Sequence, residues 1–169
     1  DTTANSIDLT TSAAGDIDVD ETDAVTLTNI TAADGSVTVH AGGAIDSTSV
    51  ISSTDADAND ISLSTTSGDI TVNTINAGAV GDVSLSAAAA INDDSSAGTV
   101  ITADVLTATA AGAMTLDTTA NSIDLTTSAA GDIDVDETDA VTLTNITAAD
   151  GSITVDAGGA ITATSVISS

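Results

Sequence analysis

The sequence lacks Lys and Arg altogether, and its single His is His40. Against these it has 24 Asp and 2 Glu, which gives a formal net charge of −26 at neutral pH. Proteins bind nucleic acids and anionic membrane surfaces mainly through Lys and Arg. We therefore expect neither a nucleic acid nor a membrane surface as a partner. The acidic charge also has no Lys or Arg within the chain to offset it.

Phe, Tyr, Trp, Pro and Cys are also absent. Aromatic side chains normally supply much of the buried area in a globular domain. Here the bulky apolar residues are Val, Ile, Leu and one Met, so the sequence predicts a narrow core. The absence of Cys excludes a disulfide framework. The longest apolar run, residues 87–91, is far shorter than the ~20 residues of a membrane span, so we expect no membrane insertion.

The chain contains a long internal repeat. Residues 1–53 return as residues 117–169, an offset of 116, with four substitutions. These are Val37 to Ile153, His40 to Asp156, Asp46 to Thr162 and Ser47 to Ala163. We interpret residues 1–169 as one continuous segment of a longer repetitive protein with a 116-residue repeat.

A short unit recurs throughout the chain: a Gly, one small or acidic residue, and then an apolar, polar, apolar triplet. Gly15 to Val19 is one example, and the other units begin at Gly35, Gly68, Gly81, Gly112, Gly131 and Gly151. Similar triplets without the Gly begin at Ile7, Val25, Ile61, Ile123 and Val141. Alternation with a period of two predicts β-strands with one buried face, and Gly predicts a turn before them.

Strands this short, with no helices between them, are typical of a parallel β-helix, in which inward side chains stack from coil to coil. The sequence therefore predicts an all-β solenoid with coils of about 19–23 residues. The Gly spacing favours six coils in each 116-residue repeat, with a longer turn within residues 46–60. The alternatives are a disordered acidic chain and a tandem array of β-sandwich domains. The hydropathy pattern disfavours disorder, and the repeated triplets and missing aromatic residues disfavour a sandwich.

Three runs carry a resemblance to a known group of proteins. Residues 68–72, 36–45 and 106–116 resemble the repeats of filamentous-haemagglutinin-type exoproteins and other giant repetitive bacterial surface adhesins. This resemblance implies a right-handed parallel β-helix that forms the shaft of a secreted fibre on a cell surface. The chain departs from that pattern in having no Lys, Arg or aromatic residue.

Two acidic motifs are candidate calcium sites, since Ca²⁺ prefers several converging oxygen ligands. The first motif is Asp55, Asp57, Asn59 and Asp60, where oxygen-bearing side chains alternate as they do at the start of calcium-binding loops. It lacks the Gly at its sixth position and the Glu at its twelfth that an EF-hand requires. The alternative is that these residues form an exposed, soluble turn.

The second motif is Asp16, Asp18 and Asp20, followed by Glu21 and Asp23 and repeated from Asp132 to Asp139. Alternation along a strand would place Asp16, Asp18 and Asp20 on the outer side. Two carboxylates about 5 Å apart repel each other by roughly 0.8 kcal/mol in bulk water and by more near a protein surface. We therefore expect cations, Ca²⁺ among them, to stabilise the fold.

The sequence contains partial motifs for two other functions. Asp93 and Asp94 could form the carboxylate pair of a β-helix glycosidase, but no Arg or aromatic sugar platform accompanies them, so we expect no enzymatic activity. An ice-binding surface would require a regular array of the Thr-x-Thr pairs that begin at Thr26, Thr107, Thr142 and Thr162, and these do not recur on every coil. His40 is best explained as a lone surface residue.

We therefore expect a structural protein: an acidic, extracellular shaft of a fibre or adhesin stalk that associates with itself. Catalytic and cofactor-binding residues are not expected, Ca²⁺ is the candidate ligand, and any receptor or glycan partner is left open.

Overall fold

A computed structural model describes residues 1–52, 56–95, 98 and 100–169. These residues form β-strands and turns without a helix, which confirms the all-β prediction. They include no helix that is long and apolar enough to cross a membrane. The strands are β1 Ser6–Thr10, β2 Ile17–Glu21, β3 Val25–Thr31, β4 Val37–Ala41, β5 Ile45–Ile51, β6 Ile61–Thr65, β7 Ile70–Asn76, β8 Val83–Ala87, β9 Ile91–Asp93, β10 Val100–Ala110, β11 Met114–Thr127, β12 Ile133–Glu137, β13 Val141–Ala148, β14 Ile153–Ala157, β15 Ile161–Ala163 and β16 Val166–Ser168.

The strands form because apolar and polar residues alternate along them. In β2, Ile17, Val19 and Glu21 are buried while Asp18 and Asp20 are exposed. Each apolar, polar, apolar triplet identified in the sequence lies within a strand. Apart from Leu9, their apolar side chains belong to one hydrophobic cluster or pack against it, and this cluster runs through the stack. The core is therefore narrow and aliphatic, as the missing aromatic residues predicted.

The strands stack in parallel on two walls of a β-solenoid of about eight coils. Wall A consists of β2, β4, β6, β8, residues 106–110 of β10, residues 122–127 of β11, and then β13 with β15 and β16 above it. Wall B consists of β1, β3, β5, β7, β9 together with residues 100–103 of β10, residues 114–120 of β11, β12 and β14. The chain passes from one wall to the other twice in each coil. The predicted parallel β-helix is therefore confirmed.

Coil length varies along the stack. Hydrogen bonds between neighbouring coils join residues 24 apart near His40 and Ser64, but only 17 apart at Asp104 and Asn121. Paired residues of β4 and β6 are 24 apart, and the extra residues of this long coil follow the end of β5 at Ile51. The long connection between the end of β5 and the start of β6 lies within the region 46–60, where the sequence predicted a longer turn.

The division of the repeat into six coils is wrong. Five successive strand pairings on wall A lead from Ile17 through Val37, Ile61, Val83 and Leu106 to Ile123. Ile133, the copy of Ile17, lies half a coil further on, on wall B. The 116-residue repeat thus spans five and a half coils. The Gly spacing did not predict this number of coils, because the shortest coil, from Leu106 to Ile123, combines two long strands with a single Gly turn between them.

The turns pack so tightly that Gly is required at particular positions. A Cβ atom added to Gly42 would lie 2.0 Å from the carbonyl oxygen of Thr22 in the coil below. The copy of this position, Gly158, would place a Cβ 2.1 Å from the carbonyl oxygen of Thr138. Each of these two Gly residues therefore lets its turn stack directly on the preceding turn.

Candidate functional site in the acidic columns

The Asp of the Gly-Asp-apolar unit binds the backbone of the next coil. The Asp16 Oδ1 atom accepts a 2.9 Å hydrogen bond from the Ser36 backbone N–H, and its copy Asp132 accepts one of 2.7 Å from the Ser152 N–H. Asp69 accepts an equivalent bond of 2.9 Å from Ala90. These carboxylates therefore accept hydrogen bonds from backbone N–H groups in the turns, and these groups lie outside the strand ladders.

One acidic column consists of Asp60, Asp82 and Asp104 on successive coils. The Asp82 backbone N–H donates to Asp60 Oδ1 at 3.0 Å, and the Val105 N–H donates to Asp82 Oδ1 at 3.1 Å. Burial raises the pKa of Asp82, and the charges of Asp60, Asp104 and Asp57 raise it further, while the Val105 hydrogen bond partly offsets these effects. Above this column, the amide of Asn121 donates to Asp104 Oδ1 at 2.8 Å.

A second acidic column lies on wall B, where Asp117, Asp136 and Asp156 occupy equivalent positions on successive coils. Burial raises the pKa of Asp117, and so do the charges of Asp93, Asp136 and Asp134. Parallel coils are about 4.8 Å apart, and the sequence has no Lys or Arg that could come between these carboxylates. This column is therefore a place where negative charges stack directly on one another.

The structure does not bring the first predicted calcium motif together within the described residues. Asp55 lies outside the part of the chain that the structure describes. Asn59 is buried, and its side-chain amide donates to Asp34 Oδ1 at 3.2 Å. Asp60 instead accepts the backbone N–H of Asp82 in the next coil. Asp57 lies in an exposed turn, where its charge contributes to the raised pKa of Asp82.

The second motif lies on the outer surface, as predicted, since Asp16, Asp18 and Asp20 are all exposed. Asp16 already accepts the Ser36 N–H, while Asp18 pairs in register with Thr38 and Asp20 with His40. No group of three or more His, Cys, Asp or Glu side chains that could hold a metal ion occurs within residues 1–52, 56–95, 98 and 100–169. The calcium sites therefore remain sequence-based predictions.

Glu21 and Glu137 form buried polar sites that the sequence analysis did not identify. Only 3 % and 4 % of these two residues is exposed. Glu21 accepts backbone hydrogen bonds from Ala4 at 2.8 Å and from Thr22 at 3.0 Å. Glu137 accepts bonds from the Thr118 hydroxyl at 2.8 Å and from the Ala120 N–H at 3.0 Å.

Two features of the sequence could have identified these glutamates. They are the only two Glu residues beside 24 Asp, and each occupies the third inward position of an alternating strand. A carboxylate placed there on the longer Glu side chain can reach the donors of the preceding coil.

The remaining outer columns are mixed rather than uniform. Pairing on wall A leads from Asp18 through Thr38, Ser62 and Ser84 to Thr107, so Thr occupies only two of these five positions. The Thr28 hydroxyl donates to the Ile7 carbonyl at 3.0 Å, and its copy Thr144 donates to the Ile123 carbonyl at the same distance. These hydroxyls join neighbouring coils to each other.

Comparison with family models, with curated proteins and with solved structures finds no match to this chain. In the described residues, some acidic side chains bind backbone donors of a neighbouring coil, some accept hydrogen bonds from Asn side chains, and others stack as carboxylates on the outer surface. The first two arrangements hold successive coils together, and the third gives the rod a strongly anionic surface.

Proposed function

We propose that this chain is a segment of the shaft of an acidic extracellular fibre or adhesin stalk, with a structural rather than enzymatic role. The observation that carries the proposal is the uninterrupted stacking of about eight parallel coils around a single aliphatic core. In such a stack each coil contacts only its neighbours, so further repeats add length without changing the cross-section. An extended spacer needs this property.

Carboxylates bound to the next coil support the same proposal. The hydrogen bonds of Asp16, Asp69 and Asp132 cross from one coil to the next at the turns. They add to the strand ladders and satisfy donors outside the strands. A shaft that must stay straight gains from such contacts along its edges.

Lengthening the chain by one repeat tests this proposal. Residues 54–169 can be fused after Ser169, because residues 117–169 nearly duplicate residues 1–53 and the pattern then continues. Five and a half added coils at about 4.8 Å each would lengthen the rod by roughly 26 Å at an unchanged cross-section. Small-angle scattering and electron microscopy measure both quantities. A thicker particle, or one of unchanged length, would contradict the shaft proposal.

We further propose that cations control self-association of the shaft. With a net charge of −26, two copies repel each other unless counterions intervene. CaCl₂ should therefore raise the melting temperature and promote side-by-side association in light scattering, whereas EDTA at low salt should lower both. NaCl of matched ionic strength is the control for simple screening. A melting temperature that is the same in all three conditions would contradict this proposal.

A further inference from the structure

Equivalent residues of the two near-identical copies of the sequence lie on opposite walls of the solenoid. Ile17 is on wall A, and Ile133, its copy, is on wall B, where it pairs with Met114 and Ile153. In the opposite sense, Leu27 is on wall B and its copy Leu143 is on wall A. The exchange follows from a repeat of five and a half coils.

The outer surface changes walls together with the core. On wall A, Asp18 stands beside Thr38, whereas its copy Asp134 stands beside Thr115 and Thr154 on wall B. The pair formed by Asn29 and Asp8 on wall B returns on wall A, where the Asn145 amide donates to Asp124 Oδ1. The distances are 3.0 Å and 2.9 Å, so the same polar surface is built on each wall.

We propose that the 116-residue repeat is a half-integer repeat, which displays the same outer surface on the two walls of the rod in alternation. The structural unit of the fold is then the half coil of about ten residues. Either wall accepts either kind of strand, the short form of β2 and β12 or the longer, kinked form of β3 and β13.

This arrangement determines how such a rod can meet its partners. A partner that recognises the surface of one copy finds the second copy on the other wall, about 26 Å further along. If the shaft associates with itself, as proposed above, a self-complementary contact on one wall alone would stop at pairs. The same contact on both walls would let association continue sideways. This consequence rests on the proposed function, whereas the wall exchange itself does not.

Distances between paired spin labels test the wall exchange in the full chain, which has no native Cys. The pairs Asp18→Cys with Thr107→Cys and Asp46→Cys with Asp134→Cys each span four coils of one wall, and all four positions are exposed. We expect nearly equal distances for these two pairs, from backbones about 19 Å apart. Asp18→Cys with Asp134→Cys joins a residue to its copy across the coil and should give a clearly longer distance.

If the repeat were a whole number of coils, Asp134 would lie on the wall of Asp18 and away from the wall of Asp46. The distance between positions 46 and 134 would then be longer than the distance between positions 18 and 107. A distance for the pair 46 and 134 well above that for the pair 18 and 107 would overturn the inference. The pairs Thr71→Cys with Thr154→Cys and Thr38→Cys with Thr154→Cys provide the same comparison at other positions should a first variant fail to fold. Rod length is measured separately, so a failed shaft proposal and a failed wall exchange give different results.

Discussion

Residues 1–53 and residues 117–169 differ at four positions, and their equivalent residues lie on opposite walls, yet most of their contacts agree. The Asn29 amide donates to Asp8 and Thr10 at 3.0 and 3.2 Å, and the Asn145 amide repeats these bonds at 2.9 and 3.3 Å. The two copies differ instead in burial: Leu9 is 40 % exposed, while Leu125 is fully buried. The local sequence therefore sets the polar contacts, and coils on both sides set the burial.

The largest expected effect separates these two causes. Leu125→Ala should cost about 2–5 kcal/mol, because it opens a cavity in the closed core. Leu9→Ala should cost about 1 kcal/mol or less, since its side chain is partly exposed already. Urea unfolding followed by circular dichroism measures both variants. Equal losses would show that the sequence, and not the surrounding coils, determines the contribution of each residue.

The second effect tests whether the walls are equivalent at a buried polar site. Glu21→Gln and Glu137→Gln each replace one carboxylate oxygen with an amide nitrogen, which cannot accept the hydrogen bonds found there. We expect each variant to lose about 1–3 kcal/mol of stability. Asp20→Asn, an exposed neighbour on β2, removes the same charge and should cost much less. A loss confined to one wall would contradict the equivalence of the walls.

The sequence alone predicted most of the fold. Alternation in segments such as 17–19 and 123–125 depends on local apolar spacing, so each strand could be located without any tertiary information. The number of coils in the repeat could not be predicted in this way. It depends on which strands pair across the short coil between Leu106 and Ile123, whereas the Gly spacing favoured six coils.

The candidate sites were harder to predict, because they depend on register between coils. Asp18 and Asp20 were placed correctly on the outer face, since that requires only alternation. The hydrogen bond between Asn59 and Asp34 joins residues 25 apart in the sequence, and the hydrogen bond between Asp60 and Asp82 joins residues 22 apart. These partners follow only from the length of each coil, which varies along the chain.

The third effect uses one of the four substitutions between the copies. The Ser47 hydroxyl is fully buried in the core, between Leu27 and Val72, and has no hydrogen-bond partner in the part of the chain that the structure describes. Ser47→Ala should therefore raise stability by about 1 kcal/mol. The reverse change in the other copy, Ala163→Ser, lies at an exposed position and should have almost no effect. Thermal unfolding of both variants measures the difference, and a destabilised Ser47→Ala variant would contradict this account.

The smallest effect concerns the acidic column at Asp117, which the first copy does not build in the same way. Burial and the charges of Asp93, Asp136 and Asp134 raise its pKa, so the charged form is less favourable in the folded chain than in the unfolded chain. The contribution of this group to stability therefore falls as the pH rises through the raised pKa, and it is lowest at neutral pH.

Asp117→Asn should consequently stabilise the fold at pH 7 by about a few tenths of a kcal/mol, the scale of exposed charge interactions. The gain should shrink as the pH falls from the raised pKa towards the ordinary pKa of an Asp, and it should vanish below that ordinary value, where Asp117 is protonated in both the folded and the unfolded chain; it should also shrink in high salt. Asp23→Asn, in an exposed turn outside the column, removes the same charge and is the control. Melting temperatures across pH 3–7 measure both variants. If the two variants gain the same stability at pH 7, the net charge of the chain opposes folding, and the stacking of carboxylates on wall B does not.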